Sequence, residues 1–63
     1  MSRFKKALYE NIGRQADEIL SEIAWLKQYQ RDEEIEDMEN CVENIFDSLR
    51  AIADNIKNLK KEG

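Results

Sequence analysis

The apolar positions of the second half of the chain fall at Ile35, Met38, Val42, Ile45, Leu49, Ile52, Ile56 and Leu59. The steps alternate between three and four residues without a break, the spacing of an amphipathic helix with a coiled-coil seam. No charged residue interrupts the run. Asp32 reads as the N-cap of this helix, with Glu33, Glu34 and Glu36 in the first turn and Lys57, Lys60 and Lys61 in the last. Both ends therefore suit the helix dipole. Upstream, Ile12, Ala16, Ile19, Ile23 and Leu26 form a second run, widened by Phe4, Leu8 and Leu20 into a broad apolar face.

The two runs are out of phase. Carried backwards, the second run would require apolar residues at Gln28 and Ser21, so a single straight helix cannot bury both. The break falls in the polar stretch Gln30-Arg31-Asp32-Glu33, a length that joins antiparallel helices. The pattern predicts an all-α, single-domain, coiled-coil-like hairpin over residues 1–63, with helices over about 2–29 and 33–61 and a turn at 30–33. Ile12, Ile19, Ile23 and Leu26 are expected to pack on Met38, Val42, Ile45, Leu49 and Ile52. Proline is absent, and Gly13 alone could divide the first helix. The steps Phe4, Leu8, Ile12 and Ala16 carry the apolar face across that glycine, favouring a continuous helix at a cost of about 1 kcal/mol relative to alanine.

Length changes this picture, because 63 residues build only a small core, worth roughly 3–5 kcal/mol. Help from a disulfide or a structural zinc is not expected: Cys41 stands alone and there is no histidine. Self-association remains, and two hairpins are expected to dimerise into a four-helix bundle through Leu8, Leu20 and Phe46. The lone thiol suits a reducing compartment, where it reads as a small apolar filler. No stretch resembles a signal peptide or a membrane span, which predicts a cytoplasmic protein without a membrane partner.

Charge is unevenly spread. Net charge is −4, made of +3 over residues 1–14, −9 over 15–47 and +2 over 48–63. A hairpin gathers Arg3, Lys5, Lys6, Lys57, Lys60 and Lys61 at one end and the acidic run from Asp32 to Glu39 at the other. Two hairpins packed antiparallel would set each basic end beside the other's acidic turn, which selects orientation more than it adds affinity.

Catalysis is not expected. There is no histidine to serve as base, no glycine-rich phosphate loop, and no inward carboxylate–histidine set or EF-hand loop to hold a metal. Neither a cofactor nor a metal is called for. Trp25 projects about 140° from the centre of the first helix's stripe, with Tyr29 one turn later on the edge of that side. Aromatic residues off the core are enriched where partners bind, so Trp25 and Tyr29, with Arg14, are the candidate partner-binding residues. The alternative is a nucleic-acid-binding hairpin dimer using Arg3, Lys5, Lys6 and Arg14, a basic stripe that Asp17 and Glu18 interrupt.

In architecture the chain resembles the Rop family of plasmid RNA-binding hairpins, although no residue motif matches. The segments MSRFKKALYENIGRQ and DSLRAIADNIK, with the whole length, resemble the small proteins encoded by the 63-codon reading frame of the exo–xis region of lambdoid bacteriophages. That resemblance implies an early regulatory protein in the bacterial host cytoplasm that binds a host or phage protein and favours lytic over lysogenic development. It supplies no catalytic residue.

Overall fold

A computed structural model describes residues 2–62 and contains two helices, α1 (Arg3–Arg31) and α2 (Ile35–Glu62), with no strand among the described residues. They lie antiparallel as a hairpin 46 Å long and 14 by 10 Å in section between Cα atoms. The terminal residues 1 and 63 lie outside the described part. None of the described helices is long and apolar enough to cross a membrane.

Helix α1 begins at Ser2, whose hydroxyl accepts from the Lys5 backbone N–H at 3.1 Å. That bond satisfies one of the free donors of the first turn. Its first turn carries no acidic residue but holds Arg3 and Lys5, with Lys6 directly after, which the dipole disfavours. The helix passes through Gly13 unbroken.

The turn is tighter than expected and differently capped. Asp32 closes α1 as its C-cap instead of opening α2: its N–H donates to Gln28 O, and its carboxylate accepts from Gln28 Nε2. Glu33 follows at φ 58°, in the left-handed region. Glu34 N–H then returns to Tyr29 O at 2.9 Å and Glu33 N–H to Gln30 O at 3.3 Å. These two bonds form a Schellman closure, built here without glycine. The Glu34 carbonyl accepts from Met38 N–H, so α2 starts at Ile35 and its first acidic pair is Glu36 and Asp37.

The seam between the helices differs from the expected one. On α1 the sheltered positions include Leu8, Ile12, Gln15, Ile19, Glu22, Leu26 and Tyr29; on α2 they include Met38, Cys41, Ile45, Ser48, Ile52, Asn55 and Leu59. Both sets keep the three-four rhythm, yet only every second expected residue belongs to them. Ile12, Ile19, Leu26, Met38, Ile45, Ile52 and Leu59 take their places. Ala16, Ile23, Ile35, Val42, Leu49 and Ile56 are exposed, Ile35 by 69%. The seam alternates these apolar residues with polar ones, and Asn55 Nδ2 donates to Gln15 Oε1 across it at 2.9 Å.

At 100° per residue, the centre of each apolar stripe lies about 50° to one side of the direction in which its helix meets the other. In an antiparallel pair both offsets turn toward the same flank. Only Leu8 and Cys41 are fully buried.

Candidate protein-interaction site

The two flanks of the hairpin differ in chemistry. One carries the exposed apolar stripe, and near the turn it opens into a concavity of about 580 Å³ lined by Leu26, Ile35, Met38, Val42, Glu39 and Glu43. The other is polar. There a concavity of about 310 Å³ is lined by Glu22, Trp25 and Tyr29 from α1 and by Asp37, Asn40, Cys41 and Asn44 from α2.

Trp25 and Tyr29 are four residues apart on one helix, so their rings project from successive turns. Their centroids are 5.9 Å apart at 24°, a stacked arrangement. Trp25 is 56% exposed. Tyr29 is half-buried and belongs to the seam itself, nearer the hairpin core than the edge position expected for it. The structure thus brings two of the three candidate binding residues together. Arg14 stands three turns back along the same helix, about 16 Å away at 1.5 Å per residue, where its guanidinium donates to Asn11 Oδ1 at 3.1 Å.

Electrostatics in the concavity are acidic. Burial first, and then the charges of Asp37, Cys41, Glu22 and Glu34, raise the Tyr29 phenol above its ordinary pKa. Burial, followed by the neighbouring Glu22 carboxylate and Asp37, raises the Cys41 thiol. A buried thiol kept protonated is a poor nucleophile. The sequence contains no histidine, and among the described residues no group of three or more His, Cys, Asp or Glu side chains could hold a metal.

Of the residues expected at a dimer contact, Leu20 and Phe46 are exposed, by 65% and 57%, and project toward the apolar flank. Leu8 does not join them. It is 5% exposed, held within the seam of its own hairpin. Asp37, Asn40 and Asn44 were not singled out from sequence. Their place beside Trp25 depends on how the helices are turned toward each other; Asp37 and Asn44 stand on the seven-residue repeat Asp37, Asn44, Ala51, Asn58 that flanks the α2 seam, whereas Asn40 lies off it with no signal in the pattern.

No family model matches the chain, and neither a curated protein nor a solved structure matches it.

Proposed function

We propose that this chain is a small non-enzymatic interaction protein: a hairpin that dimerises into a four-helix bundle and recognises another protein through the concavity at Trp25 and Tyr29. The observation that carries the reading is the stacked aromatic pair, half-buried Tyr29 beneath exposed Trp25, in a polar concavity on the flank that the apolar stripe avoids. Stacked rings contribute large contact area with little conformational entropy to lose, as interface hot spots do. Glu22 and Asp37 beside them suit a partner that presents a lysine or arginine, whose charge is also attracted to the indole face.

The resemblance to the lambdoid exo–xis proteins makes a host or phage protein the partner class and the bacterial cytoplasm its setting. In that reading the protein favours lytic development by binding. A nucleic-acid partner is the second reading, supported by the cations at the hairpin's open end. It is the weaker, because the carboxylates of the concavity repel phosphate.

Tagged wild-type protein and Trp25→Ala, expressed in bacteria, separate these readings. Trp25→Ala should keep its helical circular dichroism and its melting temperature within about 1 kcal/mol of stability, yet lose a protein that the wild type retains. Equal recovery by both chains would remove the proposal. A steeply salt-dependent shift of RNA or DNA by either chain would favour the second reading.

A further inference from the structure

The exposed large apolar side chains are not scattered. Ile23 on α1 and Ile35, Val42, Leu49 and Ile56 on α2 occupy one position of the seven-residue repeat, immediately beside the seam on the apolar flank. Leu20 and Phe46 stand on its outer rim. Of the other exposed large hydrophobics, Tyr9 shares the repeat position of Ile23 on the same flank, whereas Phe4 and Trp25 point to the opposite one. An isolated hairpin would leave this whole face in water.

From the self-association reading above, we infer that a second copy of this chain covers this face, packed face to face with its long axis reversed. Three observations support one occupant and one orientation. The first is angular. In a square array of four helices the shared core lies roughly 45° from the direction of each neighbour, and the apolar stripes lie about 50° from the direction of the intrachain neighbour at 100° per residue. The stripes aim at the centre of four helices, not at the centre of two.

The second observation is size. The face extends 46 by 14 Å between Cα atoms, before side chains widen it. A specific interface needs about 800 Å² per partner; the Cα outline alone, 46 × 14 Å or about 640 Å², reaches that scale once the side chains along its edges are included.

The third is the charge of the rims. On the apolar flank Lys6 and Lys60 border the face at its open end, and Glu39 and Glu43, with Lys27, border it at the turn, which stays net acidic. Reversal brings the Lys6–Lys60 pair of each copy to the other's net-acidic turn end, whereas alignment of turn with turn would set the two Lys6–Lys60 pairs side by side. Lys6 also follows the N-terminus of α1, where the helix dipole disfavours a cation, so its charge is not there to stabilise its own helix.

Two measurements test this. Val42→Glu with Leu49→Glu should abolish the dimer seen by sedimentation, leaving a monomer or an unfolded chain, whereas Asn44→Glu with Asn58→Glu on the polar flank should leave it intact. Both Val42 and Leu49 are exposed in the hairpin alone, so unfolding on their replacement also means that a partner buries them. A folded Val42→Glu/Leu49→Glu dimer overturns the face while the self-association reading stands. A wild-type monomer at tens of micromolar overturns both. For orientation, spin labels at Arg31→Cys in a Cys41→Ala background should lie on the order of 40 Å apart, the length of a 28-residue helix at 1.5 Å per residue. A separation about half that or less would mean turn beside turn, and would overturn the reversed packing.

Discussion

Gly13 adopts helical backbone geometry, and nothing lies within 4 Å of the point where a methyl group would project. Gly13→Ala should therefore stabilise the protein by about 0.5–1 kcal/mol, through lower entropy of the unfolded chain and better helix propensity. Urea unfolding measures this directly. A loss of stability would place another backbone against Gly13 in the assembled protein. The turn shows what single residues do and do not reveal. Its neighbourhood was readable from the phase break between the two apolar runs, but its capping was not. An aspartate flanked by acids reads equally as the end of one helix or the start of the next, and the left-handed position is filled by Glu33 where a glycine would have marked it.

At the scale of the helices, periodicity located each apolar stripe correctly but not the line of contact. Ile45 and Ile52 belong to both, which is why the hairpin was legible. Val42 and Leu49 belong to the stripe alone, while Cys41, Ser48 and Asn55 belong to the contact alone. The distinction depends on how many helices share the core, which one chain's pattern does not state. The candidate site was half legible for the same reason: Trp25 and Tyr29 stood out by angle, whereas Asp37 and Asn44 acquire meaning only from the rotation of α2.

The sheltered Cys41 and Tyr29 of this seam also make an alkaline limit on stability. Folding raises the pKa of both groups, so it favours their protonated forms. Their contribution is complete below the unfolded-chain values and is lost as pH rises through the folded ones. The melting temperature should fall above about pH 9, beyond the ordinary thiol range, and Tyr29→Phe with Cys41→Ala should blunt that fall. An identical alkaline profile in the double variant would count against this origin.

For the whole molecule, the division of flanks has a consequence for binding. If the apolar faces meet, the two Trp25 concavities are carried to opposite outer sides of the bundle, and each dimer presents two equivalent sites. Folding and assembly then become one process, because a hairpin with two fully buried residues and polar groups at alternate seam positions has little core of its own. Stability that depends on a second copy obeys mass action: a hundredfold rise in protein concentration adds about 2.7 kcal/mol per dimer. For a bundle of this size that corresponds to a rise of the order of 5–10 °C in melting temperature. Circular dichroism melts across that range, with sedimentation at each concentration, measure it. A melting temperature independent of concentration, from a species that sediments as a monomer, would mean that the hairpin stands alone and that its apolar flank awaits a different partner.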